Sequence, residues 1–559
     1  MQTLSSSKLQ SWLPWFTRGL LILGAFLLFA RLFELQIIKG SYYRDMSDEN
    51  RIRRVEISAP RGEVYARGGE LLIGNKEIKN RIVFDPKSGY RKTDDITNTP
   101  DDELVSDYIR YYSLGAQFAH VSGYVGLVAE DEINKVDADC KEKGVRTSEM
   151  LMGRTGLEQS YDCVLGGING EELIEVDTTG KKIRTLGKRE PIPGEDITTN
   201  IDNGLQKKLT EVMDGKTGSI VVASPDGKVL ALYSSPSYDP NTFVGRINNE
   251  KVKDVLNDTN LPLFNRAIGG LFHPGSVYKP MIALMALEEE VIDDDYTFND
   301  EGLIEIKTPY GDFSYKNWYY TQYGGKEGEI GLEKAIARST DTFFYKTGEL
   351  LGIDNIVKWS STFGLDTTTG IDLPGEIAGL VPSPEWKMRV KGEKWFLGNT
   401  YHVSIGQGDI ALTPLQINRA ISVIASDGEL CVPTIVGEAD CVDIGIEKEN
   451  IETVRQGMKL ACTTGGTGYT FFESNPQVAC KTGTAETFEE GVTHAWFTFF
   501  APVEESSEPE IVVTVMVEKG GEGSRVAGPI ATEIFNYWYG VSDNKNDLDE
   551  NESDPSVNE

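Results

Sequence analysis

Two short patterns in this chain could support serine acyl chemistry, and each occurs three times. Ser-x-x-Lys appears at Ser5/Lys8, Ser276/Lys279 and Ser542/Lys545, and Lys-Thr-Gly starts at Lys216, Lys346 and Lys481. A serine hydroxyl becomes a nucleophile when a base takes its proton. A lysine can be that base once burial or a neighbouring charge lowers its pKa. Patterns this short arise by chance, so the surrounding sequence must choose among the copies. Ser276 lies in FHPGSVYKPMIALMALEEE, where Pro274-Gly275 is a turn. Met281, Ile282, Leu284, Met285 and Leu287 then form a helical apolar face. Pro280 is tolerable only in a first turn, so the helix begins close to Ser276. Ser276 and Lys279, three apart, share one face of it, and the helix N-terminus favours the charge that develops on the hydroxyl. The plainer alternative is an N-cap serine beside a solvated lysine. The other two copies lie in polar termini with no helix to hold the geometry.

Lys481 lies in NPQVACKTGTAETF, where Val478, Cys480, Thr482 and Thr484 alternate as in a strand. HAWFTFFAP follows and can pair beside it. On an edge facing a cleft, Lys481 and Thr482 would offer a cation and a hydroxyl to a carboxylate. Gly483 would let a substrate backbone approach. The alternative is an ordinary strand with a surface lysine. Lys216 reads as loop and Lys346 falls inside a helix. Between the two chosen elements, LEKAIARSTDTFFYKTGELLG carries Ser339-Thr340-Asp341. This third polar element could equally be a helix-flanking turn, since Ser-x-Asp recurs at Ser224 and Ser237.

The elements that must hold these groups follow from pattern. Asn203–Met213 reads as a helix, and GSIVVASPDGKVLALYS as two strands around Pro225-Asp226-Gly227. Helical blocks follow near 276–290, 331–352 and 450–462, and strands return in HAWFTFFAP and EIVVTVMVEKG. Strands first and last with helices between predict an α+β domain, helices packed on an antiparallel sheet. Upstream, RRVEISA, GEVYARGGELLIG and the hairpin ELIEVDTTGKKIRTL, with Thr179-Gly180 at its turn, predict a β-rich region. PIPG at 191–194 reads as a linker.

Composition narrows the class. With 559 residues, 39% of them apolar and 25% charged, the chain can build two or three ordinary domains. Its 55 basic and 87 acidic residues give a net charge of −32, which argues against a nucleic-acid partner. None of the four histidines (His120, His273, His402, His494) has metal-site spacing, and the six cysteines contain no C-x-x-C pair. No metal or other cofactor is expected. GLLILGAFLLFA, within the apolar run Trp12–Ile38, is long enough for a membrane span. ARLFELQII after it lacks a small-x-small cleavage site, which favours an uncleaved anchor over a signal peptide. Cys431 and Cys441 flank CVPTIVGEADC, which could fold as a hairpin and pair in an oxidising compartment, or hold two separate thiols. Cys480 is expected to stay unpaired, because a bridge beside Lys481 would constrain the cleft. The acidic tail SDNKNDLDENESDPSVNE is expected to be disordered.

Taken in order, the three polar elements resemble the S-x-x-K, second-serine and K-T-G set of penicillin-binding proteins. NRAIGGLFHPGSVYKP, FGLDTTTGIDLPGE, VPSPEWK, SIGQGDIALTPLQ, VACKTGTAE and GGEGSRVAGPIA are similar to landmarks of the class B members. LQIIKGSYYRDMSDENRIRRVEISAPRGEVY, AHVSGYVG and GRTGLEQSYD resemble their N-terminal pedestal. Asp341 in Ser-x-Asp, with WYYTQYGG upstream, is more like the elongation type than the division type. Cys480 stands where the family usually has Gly, and Ala66-Arg67-Gly68-Gly69 replaces the usual Asp-Arg-Asn-Gly.

The resemblance implies a cytoplasmic N-terminus (1–15), a transmembrane anchor (16–38), a pedestal (39–190), a β-lactamase-like transpeptidase domain (195–540) and a tail (541–559). It implies a single-pass membrane protein with its catalytic domain outside the cytoplasm, cross-linking peptidoglycan stem peptides on lipid-linked nascent glycan and acylated by β-lactams. It further implies Ser276 as nucleophile, Lys279 as base, Ser339 as proton relay and Asp341 as orienting group. Lys481, Thr482, Gly483 and Thr484 would bind substrate, and the Ser276 and Thr484 N–H groups would form the oxyanion hole. The implied partner is a SEDS-family glycosyltransferase. A division-type (septal) class B transpeptidase, a hydrolytic β-lactamase or carboxypeptidase, and a catalytically weak scaffold or antibiotic sensor are the competing readings.

Overall fold

The computed structural model describes residues 12–541, apart from 86–88, 94, 98–103, 137–139, 149, 178–181, 246–248, 310 and 505–506. The acidic tail after Val541, the Thr179-Gly180 turn, Ser5/Lys8 and Ser542/Lys545 lie outside the described residues. The chain divides into two compact units.

The first unit comprises Met1–Pro60, Glu77–Tyr108 and Ile168–Pro193. It opens with α1 (Leu13–Phe33), which a wider helical turn extends to Ile38. The 26 residues from Leu13 to Ile38 are long and apolar enough to cross a membrane, and none of the α1 residues is buried. At the helical rise of 1.5 Å per residue the segment spans roughly 39 Å, more than a bilayer's hydrocarbon core. Arg31 and Lys39, near its end, pair with Glu34 at 2.6 and 2.8 Å. Ile52–Ile57, Gly170–Val176 and Lys182–Arg189 then form a three-stranded antiparallel sheet, Gly170–Val176 in the middle. Its core is small, Val55 packing with Ile174 and Val176.

The second unit comprises Arg61–Lys76, Ile109–Gly167 and Gly194–Glu559. Its centre is an antiparallel sheet of β1 (Gly218–Ala223), β2 (Val229–Ser235), β3 (Ala479–Glu486), β4 (Thr493–Ala501) and β5 (Ile511–Val517), in the order β2-β1-β5-β4-β3. Period-2 alternation sends side chains to two faces. Trp496, Phe500, Val512 and Met516 join one core with α3 (Lys279–Glu288), α7 (Pro414–Ala425) and α8 (Lys448–Ala461). Phe497, Phe499, Val513 and Val515 join the other with α2 (Asn203–Val212) and α9 (Gly523–Tyr539). Continuous apolar runs in the inner strands follow from burial on both faces. β3, at the edge, carries the Lys-Thr-Gly at Lys481.

Three disulfides lie in this unit, Cys140–Cys163, Cys431–Cys441 and Cys462–Cys480. Cys431 and Cys441 face each other across a short antiparallel pair, the hairpin reading of that segment. The expectation for Cys480 fails: it bonds to Cys462, at the end of α8. The sulfurs are buried with Ala461, Phe471 and Phe497 at the inner end of β3, so the bridge pins the strand from the core.

Candidate active site

Gly275–Tyr278 is a single 3₁₀ turn that runs into α3, with Pro280 in the first helical turn as its missing N–H requires. Ser276 is half-buried at this turn, while Lys279 is completely buried. Lys279 Nζ donates to Ser339 O at 2.8 Å and to Asp341 Oδ1 at 2.6 Å, and lies 3.3 Å from Ser339 Oγ. Burial lowers the Lys279 pKa from the ordinary lysine value, and the Asp341 carboxylate opposes that fall.

Ser339 ends α4 (Leu332–Arg338) in the left-handed conformation, φ 57° and ψ 39°. This is uncommon for a residue with a Cβ. The turn delivers the carbonyl and hydroxyl of one residue to the same amine. Asp341 then starts α5 (Asp341–Leu351), and its carboxylate also accepts from Trp318 N at 2.9 Å.

Lys481 converges on Ser339 from β3. Its Nζ is fully buried and donates to Ser339 Oγ at 2.8 Å and to Thr482 O at 2.9 Å. Burial, reinforced by the Lys279 charge, holds its pKa well below the lysine range. The sequence reading had this cation facing a substrate carboxylate; instead it lies behind Ser339. A Cβ on Gly483 would stand 3.0 Å from Trp496 Cβ and Val277 Cγ1, so the glycine lets β3 close on the nucleophile turn. Gly523 makes a similar approach from α9, where a Cβ would fall 2.1 Å from Gly483 O, and its N–H donates to Thr484 Oγ1 at 3.2 Å.

A cavity of about 370 Å³ is lined by Ser276, Ser339, Asp341, Thr482 and Thr484 together with Tyr345, His402, Thr467 and Glu486. The chosen motif copies thus meet at one place, whereas Lys216 and Lys346 do not line it. Lys216 Nζ lies 3.5 Å from Asp214 O and Lys346 pairs with Glu349 at 3.1 Å.

Sequence reasoning missed the scaffold behind Asp341. Asn317 Oδ1 accepts from Asp341 N at 3.2 Å, and Asn317 Nδ2 donates to Asp300 Oδ2 at 3.1 Å. Asp300 is buried and accepts also from Gly302 N, Glu327 N and Thr342 Oγ1. The available signal was the aromatic stretch beginning at Trp318, which marks the segment without separating Asn317 from its neighbours. Thr467, 2.9 Å from Thr482 Oγ1, had no signal at all.

A sheet flanked by helices, with Ser-x-x-Lys, Ser-x-Asp and Lys-Thr-Gly brought to one cavity at its edge, defines a serine acyl-transfer enzyme of the penicillin-binding class. Residues 218–536 match the penicillin binding protein transpeptidase domain and residues 97–199 the penicillin-binding protein dimerisation domain. The chain belongs to the penicillin-binding protein family. It is 32% identical to the peptidoglycan D,D-transpeptidase MrdA of Acinetobacter baumannii, over 94% of this chain and 87% of that protein. The complex of penicillin-binding protein PBP2 with MreC from Helicobacter pylori matches with a TM-score of 0.75 at 27% identity, over 88% of this chain and 99% of that one. The Pseudomonas aeruginosa PBP2 complex with WCK 5153 matches with a TM-score of 0.71 at 31% identity, over 87% and 96%.

Proposed function

We propose that this chain is a peptidoglycan D,D-transpeptidase of the elongation type, which cross-links stem peptides by serine acyl transfer. The observation that carries the reading is the meeting of Lys279, Lys481 and Asp341 at Ser339, in the cavity that holds Ser276. Ser276 Oγ attacks the carbonyl between two D-alanines while Lys279, its pKa lowered by burial, takes the proton. The Ser276 and Thr484 N–H groups hold the oxyanion, an arrangement worth about 3–4 kcal/mol per donor in comparable enzymes. Ser339 Oγ, between the two amines, relays the proton to the leaving nitrogen, and terminal D-alanine departs. Thr482 and Thr484, which line the cavity, hold the substrate carboxylate. Lys481 contributes through Ser339 and through its field. An amine of a second stem peptide then takes the acyl group.

Acylation with a fluorescent penicillin and peptide mapping tests this. The expected adduct is on Ser276, and incubation with a stem-peptide donor and an amine acceptor yields the cross-linked product. Labelling that survives Ser276→Ala, or hydrolysis alone with an acceptor present, overturns it.

The same reading makes the protein single-pass, with Leu13–Ile38 in the membrane and the catalytic unit outside the cytoplasm. Three disulfides in that unit favour an oxidising compartment. Its donor is carried on lipid-linked nascent glycan, and its partner is a SEDS-family glycosyltransferase. Likeness to a chain described in the structural coordination of polymerization and crosslinking by a peptidoglycan synthase complex supports such a pairing (TM-score 0.74, 26% identity). Protease protection in oriented vesicles and co-purification with the polymerase test these two points.

A further inference from the structure

The cavity lining carries three carboxylates, on Asp341, Glu486 and Glu522. Asp341 is paired with Lys279 at 2.6 Å and Glu522 with Arg525 at 2.7 Å. Among the described residues no basic side chain lies within ion-pair distance of Glu486. Glu486 ends β3, so Thr482, Thr484 and Glu486 share one face of the strand, about 7 Å apart in succession. Glu486, the carboxylate of the lining without an ion pair among the described residues, therefore continues the row that begins with the hydroxyls of Thr482 and Thr484.

His402 lines the same cavity from the last turn of α6 (Leu397–Ser404). The segment after it is locked to the nucleophile turn and to β3. Gln407 N donates to His402 O at 2.8 Å, Gly275 N to Gly406 O at 2.8 Å, and Gln407 Nε2 to Thr484 O at 3.4 Å. The imidazole stands edge-on to Tyr315, ring centres 5.7 Å apart, and neither ring nitrogen has a hydrogen-bond partner among the described residues. The charges that reach it are Glu486, Asp409 and Lys387. The cavity wall withdraws the ring partly from water, which lowers its pKa from the ordinary imidazole value and favours the neutral base at neutral pH.

Acylation is served by the buried groups around Ser339 and uses neither residue. The second half-reaction makes a different demand, because the acceptor arrives as an ammonium ion and cannot attack until it loses a proton. We propose that Glu486 and His402 form the acceptor side of the cavity, Glu486 binding the ammonium of an incoming stem peptide and His402 taking a proton from it. The inference rests on the transpeptidase reading and names the acceptor class, a peptide with a free primary ammonium. The step balances without a co-reactant. Of the ammonium's three protons, one passes to His402 and then to solvent. The freed amine attacks the acyl carbon, the bond from that carbon to Ser276 Oγ breaks, and a second proton returns to Ser276 through Lys279. The third stays on the new amide nitrogen.

The test uses full-length protein in detergent, with penicillin acylation measured first. A peptide donor ending in D-Ala-D-Ala is then added with an acceptor stem peptide carrying a side-chain ammonium. Glu486→Gln should raise the acceptor KM about tenfold or more, as loss of a charge-assisted hydrogen bond would. His402→Gln should lower kcat for transfer on the order of 10²-fold, the usual contribution of a general base, and move the acid limb of the transfer-to-hydrolysis ratio upward, from the imidazole to the acceptor amine's own ionisation. In both, the loss in transfer should exceed any loss in acylation, with hydrolysis of the acyl-enzyme taking the difference. Transfer that falls only in proportion to acylation, or an acid limb of the transfer-to-hydrolysis ratio that stays in place in His402→Gln, overturns the proposal. Failure of the unsubstituted protein to acylate would overturn this inference and the function reading together; normal acylation with unaltered partition overturns the inference alone.

Discussion

The two sides of the cavity are built on opposite principles. On one, Lys279 and Lys481 are completely buried and every described bond of their amines goes to Ser339, Asp341 or Thr482. On the other, Glu486 and His402 are exposed and without polar partners among the described residues. Burial tunes the first side, since an ammonium withdrawn from water loses its proton more readily. Access tunes the second, since a group that must meet a diffusing acceptor cannot be paired in advance. Acid–base work is thus fixed in position on one side of the cavity and held open on the other.

The sharpest way to break the comparison is at its buried side. Ser276→Ala should abolish penicillin acylation, by roughly 10⁴-fold or more, as removal of a nucleophile does in comparable serine enzymes. Next in size, Lys481→Ala should slow acylation on the order of 10²-fold, because Ser339 Oγ loses its 2.8 Å donor and the site loses the buried amine that polarises it. Lys216→Ala and Lys346→Ala should leave the rate within error, since both lysines lie outside the cavity. Stopped-flow acylation of the three lysine variants separates position from charge alone, and an equal loss in all three defeats the reading.

How far the sequence reached follows the same division. Ser276, Lys279, Ser339, Asp341, Lys481, Thr482 and Thr484 were legible because short motifs lay on elements whose period could be read, a helix with Pro280 in its first turn and a strand in strict alternation. The order of strands and helices was legible for the same reason. The site's support was not. Asp300 and Asn317 lie 41 and 24 residues before Asp341 in the chain and reach it through turns, where no periodicity exists. The Cys462–Cys480 bridge was misjudged because alternation tells which residues share a face but not how deep a strand end lies.

Asp300 tests whether that support is needed. Its carboxylate accepts four described hydrogen bonds in a buried setting. Asp300→Ala leaves those donors unsatisfied and should cost about 3–5 kcal/mol of stability. Denaturant unfolding reads the cost, and a loss under 1 kcal/mol would show that the turn is held by other contacts. A milder change sharpens the electrostatics. The Asp341 carboxylate raises the Lys279 pKa against burial, and acylation requires neutral Lys279. In Asp341→Asn that opposing charge is gone, so the Lys279 pKa falls further and the acid limb of the acylation profile moves to lower pH. A limb that moves to higher pH, or stays in place, means that Lys279 is not the group titrating.

The smallest effect compares two disulfides in the same unit. Cys431–Cys441 closes a separation of 10 residues and Cys462–Cys480 one of 18. By loop-closure entropy each should contribute about 3 kcal/mol to stability, so unfolding measurements should find the paired alanine variants similar. Acylation should tell them apart. Cys480 precedes Lys481 on β3, and a Cβ on Gly468 would stand 2.5 Å from Cys480 Sγ and 3.0 Å from Cys462 Sγ, so the bridge packs against the segment that carries Thr467 to its 2.9 Å contact with Thr482. Cys431 and Cys441 join a short hairpin that does not line the cavity. Cys462→Ala/Cys480→Ala should therefore slow acylation a few-fold at temperatures where the protein is fully folded, while Cys431→Ala/Cys441→Ala should match the unsubstituted rate. Equal rates in both would place the Cys462–Cys480 bridge in the core without influence on the row of residues that β3 presents to the substrate.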